Sequence, residues 1–216
     1  MKKQLEQVLA DIEAYKTVDE VMLVGVSKHQ SVEDIKKLVD LGVSQLGENR
    51  PQELRDKYDT EEIDANWHMI GRLQSNKIKY VINRSVLIHS IADIELMKKV
   101  NDAALKNDKV MEILFQINPS NEESKQGFSE EELVEALEIA KTLDNIKVVG
   151  LMSMAPLDQD DPKVADETFK EAKQIYDKYK NDDFKYLSMG MSSDYKIALK
   201  HGANIIRVGS YLFEED

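Results

Sequence analysis

A lysine stands where an apolar run ends and a helix begins. Residues 24–35 read VGVSKHQSVEDI, so Lys28 follows the run and precedes a helix-start pattern at Ser31 and Asp34. A lysine in this position is most often a solvated charge. The alternative is an amine that attacks a carbonyl and forms a Schiff base, which requires partial desolvation or neighbouring cations. The residues around Lys28 leave both interpretations open.

Two other segments have the composition of anion-binding turns. In SMGMSSD, Gly190 allows close backbone approach and Ser192 offers a hydroxyl just before a helix, whose first N–H groups are free. Gly209 and Ser210 repeat this combination near the end of the chain. Helix capping or a simple turn explains either segment taken alone. If the fold brings the two together, they favour a phosphate site.

The elements that must position these residues are short apolar runs, each followed by a segment of helical period. The runs are rich in Val, Ile, Leu and Met and lack strict alternation, which is typical of a covered parallel sheet. A closed barrel or a large doubly wound sheet both fit this order, but no nucleotide-binding glycine motif follows the first run. We therefore predict an α/β fold, a single (β/α)8 TIM barrel with an extra N-terminal helix, as one domain over residues 1–216. The predicted strands are 20–26, 43–48, 66–71, 85–90, 110–118, 146–152, 184–190 and 203–209.

In such a barrel the loops that follow the strands form the active face, and phosphate is often held after strands seven and eight. The two glycine-serine turns occupy those loops, and Lys28 follows strand one. Arg207 lies inside the apolar run NIIRVG and is predicted to face the barrel mouth, because a buried arginine needs an acceptor. The alternative for Arg207 is a structural ion pair with Glu48 or another carboxylate. His68 is interpreted as a hydrogen-bonded barrel histidine, and no metal site is predicted.

Composition excludes several classes of protein. The formal charge of −12 over 216 residues argues against a general nucleic-acid or anionic-membrane binder. The chain has no cysteine, so disulfides and thiolate metal sites are excluded. No apolar run has the length of a signal peptide core or a membrane span, and a cytoplasmic protein is expected. The polar segment 118–128 is predicted to be a mobile loop.

Six segments, taken in order, carry a resemblance to a known family: VSK at 26–28, LGENRPQE at 46–53, WHMIGRLQSNK at 67–77, GLMSMA at 150–155, LSMGMSSD at 187–194 and IIRVGS at 205–210. Together they resemble the pyridoxal phosphate homeostasis protein family, whose members are single-domain relatives of the barrel domain of alanine racemase. The C-terminal GSYLFEED departs from the family, whose members usually carry a further glycine and a basic residue after the phenylalanine.

The resemblance implies a site for pyridoxal 5'-phosphate (PLP). It implies that Lys28 holds PLP as a Schiff base and that Arg207 lies against the pyridine nitrogen. It further implies phosphate contacts from one turn after strand seven and one after strand eight. The residues assigned to the cofactor are Lys28, Asn49, His68, Ser192, Arg207, Gly209 and Ser210.

The function implied is that of a PLP binder in intracellular PLP homeostasis, without catalytic turnover, with PLP-dependent apo-enzymes as partners. The lean barrel with charged helices is expected to be a monomer. The alternative is a PLP-dependent amino-acid racemase. Racemisation by two bases needs acid-base groups on both faces, and the sequence shows no partner for Lys28. Alanine racemases take a tyrosine from an additional β domain, which is not expected here. A cofactor-free barrel aldolase is a third class, and the position of Lys28 after strand one counts against it.

Overall fold

Eight strands form a closed parallel barrel in the computed structural model, which describes residues 1–60, 62–119, 126–156 and 161–214. The strands follow one another around the barrel in chain order, so the predicted TIM-barrel fold is confirmed. Most of the predicted mobile loop, residues 120–125, lies outside the described residues. The strands are β1 Met22–Val26, β2 Gln45–Glu48, β3 Asn66–Met69, β4 Ser85–Ile91, β5 Met111–Gln116, β6 Ile146–Met152, β7 Tyr186–Ser188 and β8 Ile205–Val208.

Helices cover the outside of the barrel, and the extra N-terminal helix is α1. Predicted caps are present: the Ser31 hydroxyl accepts from the Asp34 backbone N–H at 3.1 Å, and Ser129 and Glu132 form a capping box. The helices are α1 Lys2–Tyr15, α2 Val32–Asp40, α3 Pro51–Tyr58, α4 Ile78–Val81 after a 3-10 turn Ser75–Lys77, α5 Ile94–Lys106, α6 Glu130–Ala140, α7 Pro162–Tyr179, α8 Tyr195–Lys200 and α9 Ser210–Phe213.

The apolar core has an inner and an outer layer. The inner layer comes from strands on opposite sides of the barrel and fills its interior, whereas the outer layer lies between strands and helices. The inner layer consists of Val24, Leu87, Leu114, Val149, Met152 and Ile205. Because this layer is dry and apolar, the polar side chains inside the barrel have to bond to one another.

The barrel closes between its first and last strands. In the β1–β8 register Val24 lies opposite Arg207, so the residue four places before Lys28 neighbours the buried arginine. Helix α1 spans the same seam from outside, because buried Asp11 accepts from the Tyr195 hydroxyl at 2.7 Å and pairs with Lys196 at 3.0 Å. The two ends of the chain are therefore tied together beside the barrel mouth.

Gly190 ends the β7 segment in a conformation that requires glycine. Its φ is 90°, and an added Cβ would lie 2.7 Å from the Ala198 Cβ and 2.8 Å from the Tyr195 Cα. Helix α8 can therefore pack directly against the turn that leaves β7, which places the Ser192 segment over the barrel mouth.

Candidate functional site

Lys28 lies in a turn at the barrel mouth, two residues beyond the end of β1, and its side chain is exposed. Within the described part of the chain it makes no hydrogen bond or ion pair. Ser27, in contrast, is fully buried: its hydroxyl donates to Glu48 Oε1 at 2.8 Å, and its backbone N–H donates to the Gly47 carbonyl at 3.0 Å. A free amine thus extends from a fixed point of the backbone.

A buried ion pair holds this fixed point. Lys57 Nζ, on α3, lies 2.5 Å from Glu48 Oε1 and donates to the Ser27 carbonyl at 2.7 Å. The Glu48 side chain has no exposure and that of Lys57 is 12% exposed. Lys57 therefore anchors the peptide group that joins Ser27 to Lys28. The suggested ion pair between Arg207 and Glu48 is wrong, because Lys57 is the cation that reaches this carboxylate.

Asn49 lies on the same side of the mouth. It is half-buried, and its backbone N–H donates to Glu48 Oε2 at 3.2 Å. Gly71, which follows β3, packs so closely on the Asn49 backbone that any side chain at position 71 would collide with it. The structure thus places Asn49 one residue from the carboxylate that supports the Lys28 turn.

The two predicted anion-binding turns meet. The Gly209 N–H donates to Ser192 Oγ at 3.2 Å, so the loops after β7 and β8 touch, as predicted. Ser192 is half-buried and Ser210 is exposed at the start of α9. Asp194 closes the first loop by accepting from the Met191 N–H at 2.6 Å, and burial raises the pKa of the Asp194 carboxyl. Hydroxyl groups from the loops that follow two strands therefore lie at one place.

Arg207 is buried on the inside of β8, with 4% exposure. Its Nη1 donates to Ser188 Oγ at 2.5 Å and its Nη2 donates to the Ser153 carbonyl at 3.3 Å. Burial lowers the pKa of Arg207 to about 10, partly offset by the charge of Asp194, so the guanidinium stays protonated at neutral pH. Within the described ranges it forms no ion pair with a carboxylate. A buried cation bonded only to neutral groups keeps its charge for a ligand with a lone pair or a negative charge.

His68 is the buried, hydrogen-bonded barrel histidine that the sequence predicts. Its Nδ1 lies 2.9 Å from His89 Nε2, and its Nε2 lies 2.9 Å from Gln45 Oε1. Burial lowers the pKa of His68 to about 4. Burial also lowers the pKa of His89 well below its usual value, with smaller contributions from His68 and Arg207. Both rings are therefore neutral at physiological pH.

A polar cleft of about 430 Å³ lies at the ends of β3 and β4. Gln74 and Asn76, which follow β3, line this cleft together with Ser90, Asp93 and Lys99. They are grouped with one another and not with the Lys28 turn.

Sequence reasoning missed four residues that support the site. Ser27 and Lys57 fix the Lys28 turn, while Ser188 and Gln45 bond the interior arginine and histidine. Ser188 carried a weak signal, since it begins the SMGMSSD segment. Lys57 carried none, because it lies in the charged segment RDKYD, where the sequence does not mark one cation as buried.

The fold and this arrangement of polar groups define a class of protein. The family model described as alanine racemase, N-terminal domain, matches residues 4–215, nearly the whole chain. Two curated relatives, both called pyridoxal phosphate homeostasis protein, narrow the class. The one from Aquifex aeolicus is 38% identical over 197 residues, covering 89% of this chain and 86% of that protein. The one from Helicobacter pylori 26695 is 34% identical over 221 residues, covering 99% and 98%. The chain belongs to the pyridoxal phosphate homeostasis protein family.

Solved structures agree with this assignment. PipY of Synechococcus elongatus PCC7942, solved with PLP bound, superimposes with a TM-score of 0.87 at 27% identity and covers 99% of both chains. An alanine racemase from Clostridium difficile 630 superimposes with a TM-score of 0.81 at 17% identity. It shares the fold over 99% of this chain, which spans 57% of that racemase.

Proposed function

We propose that this protein binds PLP at the barrel mouth as a Schiff base on Lys28 and acts in intracellular PLP homeostasis without catalytic turnover. Support comes from the family relatives and from the related structure that contains PLP. The observation that carries the proposal for this chain is the grouping of an exposed amine, two hydroxyl-bearing turns and a buried, unpaired arginine around one mouth.

Bound PLP supplies an aldehyde that condenses with a primary amine. The chain supplies that amine from Lys28, whose backbone position is set by Ser27 and by Lys57. Because the anchored peptide group immediately precedes Lys28, the amine searches a limited volume at the mouth. This restriction lowers the entropy lost when a ligand is captured.

The phosphate of PLP is assigned to Ser192, Gly209 and Ser210. An added Cβ on Gly209 would lie 3.0 Å from the Val26 Cβ, so the turn after β8 packs against the end of β1. Val26 is two residues from Lys28. The phosphate turn and the amine are therefore neighbours, as a ligand with an aldehyde and a phosphate requires.

Arg207 is assigned to the pyridine nitrogen, with Asn49 near the ring and His68 behind it in the barrel interior. A permanently charged donor keeps that nitrogen unprotonated, and the ring is then a weaker electron sink than one facing a carboxylate. This tuning opposes transamination. It suits racemase-like sites, so the storage role rests on the family relatives and not on Arg207.

The wider role follows the same proposal. We place the protein in the cytoplasm, as a single domain over residues 1–216 that is monomeric and passes PLP to PLP-dependent apo-enzymes. No helix in the described part of the chain is long and apolar enough to cross a membrane.

Replacement of Lys28 tests the proposal directly. Wild-type protein mixed with PLP and freed of excess should be yellow, and borohydride should fix one PLP on the peptide that contains Lys28. Lys28→Ala should lose both the colour and the adduct, while Lys98→Ala, a change of another exposed lysine, should keep them. A wild-type protein that stays colourless, or an unchanged adduct in Lys28→Ala, would contradict the proposal.

A second measurement separates storage from racemisation. Amino acids incubated with the PLP-loaded protein in heavy water should keep their α-protons, because no second base faces Lys28 in the assignment above. Sustained exchange at enzymatic rates, lost in Lys28→Ala, would favour a PLP-dependent racemase.

A further inference from the structure

Five side chains form a continuous hydrogen-bonded line across the inside of the barrel. Successive contacts measure 2.5 Å, 3.0 Å, 2.9 Å and 2.9 Å. The line crosses from β8 through β7, β4 and β3 to β2, and the side chains are, in order, Arg207, Ser188, His89, His68 and Gln45. We call it the interior relay.

The donor and acceptor groups of the side chains determine which way each hydrogen bond of the relay points. Arg207 can only donate, so Ser188 Oγ accepts from Nη1. The Ser188 hydroxyl then donates to His89 Nδ1, and His89 Nε2–H donates to His68 Nδ1. His68 Nε2–H ends the line on the carbonyl oxygen of Gln45. Both imidazoles are thus neutral and carry their proton on Nε2.

The opposite direction fails at Ser188. If His89 donated from Nδ1, Ser188 Oγ would accept from both His89 and Arg207, and its own hydrogen would lose its partner. The Ser153 carbonyl, which bonds to Arg207 within the described residues, accepts from Nη2. The direction from Arg207 to Gln45 gives the Ser188 hydroxyl and both imidazole N–H groups an acceptor, whereas the opposite direction leaves the Ser188 hydroxyl without one.

We propose that Ser188 and His89, supported by His68, are positioning residues that orient Arg207 toward the PLP ring. This inference rests on the proposed PLP site. The relay uses one donor of Arg207 and presents it with a lone pair instead of a carboxylate. Arg207 is therefore held in place while its charge stays available for the ligand.

The groups around the relay also leave the charge of Arg207 available for a ligand. Asp194 is the carboxylate whose charge acts on Arg207, and it accepts from the Met191 N–H instead of the guanidinium. His89 follows Leu87 of the inner apolar layer by two residues on β4, so the two side chains share a face of the strand. No other acceptor in the described residues competes with Ser188 for Nη1.

Two amide replacements of His89 form a matched pair for the test. An asparagine oxygen takes the place of Nδ1, so His89→Asn keeps an acceptor for Ser188. A glutamine nitrogen takes the place of Nε2, so His89→Gln keeps the donor to His68 and loses the acceptor. Loss of a hydrogen bond that orients a charged group should weaken PLP binding about tenfold or more in His89→Gln. His89→Asn should stay within about threefold of wild type.

A spectroscopic reading separates positioning from a merely structural role. The pH at which the absorbance of bound PLP changes should shift in His89→Gln and in Ser188→Ala, because a displaced Arg207 no longer controls the ring nitrogen. Ser188→Thr, which retains the hydroxyl, should restore the wild-type pH profile. The double variant Ser188→Ala/His89→Gln should be no worse than either single one, because all three interrupt the same line.

Nitrogen NMR of the histidine rings tests the direction without PLP. Wild-type protein should show both buried imidazoles neutral with the proton on Nε2. A proton on Nδ1 of either ring would overturn the relay, as would equal PLP affinity and equal pH profiles in wild type, His89→Asn and His89→Gln. If His89→Gln fails to fold, the pair Ser188→Ala and Ser188→Thr decides the question by the same readings. A wild-type protein that does not take up PLP would overturn the proposed function alone, and the NMR result would still test the direction of the relay.

Discussion

Two buried cations flank the barrel mouth, and they differ in the groups that they contact. Lys57 is paired with the carboxylate of Glu48 and also holds the Ser27 carbonyl. Arg207, on the opposite side of β1, contacts a hydroxyl and a carbonyl but no carboxylate within the described residues. The charge of Lys57 is compensated by the carboxylate of Glu48, whereas the charge of Arg207 has no carboxylate partner among the described residues.

This difference distinguishes a cation that stabilises the site from a cation that is free to bind a ligand. A paired buried charge adds little net stability, but it fixes geometry, and losing one partner strands the other in a medium of low dielectric. An unpaired buried charge is costly until something else meets it. Lys57 is therefore part of the scaffold under Lys28, whereas Arg207 is, in the proposed function, the group whose partner arrives with the ligand.

The largest expected effect is on the paired side. Lys57→Met removes the cation and leaves Glu48 buried alone, which should lower the free energy of unfolding by about 3–5 kcal/mol. Urea unfolding of the PLP-free protein measures this loss. The double variant Lys57→Met/Glu48→Gln should recover most of it, because no charge is then stranded. A loss below about 1 kcal/mol in the single variant would show that Lys57, like Arg207, contributes little to the stability of the fold.

The next largest effect is the pH dependence of stability that comes from the two histidines of the interior relay, which ends at Arg207. The pKa of His68 falls from 6.5 to about 4 on folding, so the unfolded chain takes up the proton more readily. Stability should be complete above about pH 6.5 and fall by roughly 3 kcal/mol as the pH approaches 4. His89 acts in the same direction.

Urea unfolding at a series of pH values measures this dependence. His68→Gln should flatten the curve between those two pH values. His29→Asn, a change at an exposed histidine without a hydrogen-bond or ion-pair partner among the described residues, is the control for loss of an imidazole outside the relay. Parallel curves for wild type and His68→Gln would show that the relay histidines do not carry the effect.

The smallest expected effect on stability comes from removing the unpaired cation, Arg207. Arg207→Met replaces an unpaired buried cation with an apolar side chain of similar length, and the free energy of unfolding should change by no more than about 1 kcal/mol. PLP binding should nevertheless fall at least about tenfold. Urea unfolding and PLP titration of the same sample give both numbers. A loss of stability as large as that of Lys57→Met would mean that Arg207 is also scaffold.

The sequence carries enough information for the architecture. All eight strands were predicted, because a strand buried on both faces leaves a continuous apolar run. The ends are less well defined: the predicted 184–190 contracts to Tyr186–Ser188, although the Lys185 N–H still donates to the Val149 carbonyl and the Met189 N–H to the Ile205 carbonyl. The meeting of the two phosphate turns was also predictable, because the order of strands in a barrel fixes which loops adjoin.

The support for the site was not predictable in the same way. The contact of Lys57 with the Ser27 carbonyl joins residues 30 positions apart through one helix rotation and one side-chain conformation. The interior relay depends on strand register, which a single sequence does not reveal for strands without alternation. Types of residue at strand ends thus predict a site, whereas its hydrogen bonding needs the three-dimensional structure.

The seam between β1 and β8 has a consequence for synthesis of the protein. Lys28 is made early, but Val24 pairs with Arg207, and Asp11 on α1 bonds to Tyr195 across 184 residues of chain. On the ribosome, β1 therefore has no closing partner until β8 has been made. Under the proposed function, a nascent chain that lacks β8 exposes the Lys28 amine without Arg207, so stable capture of PLP should begin only after β8 has paired with β1.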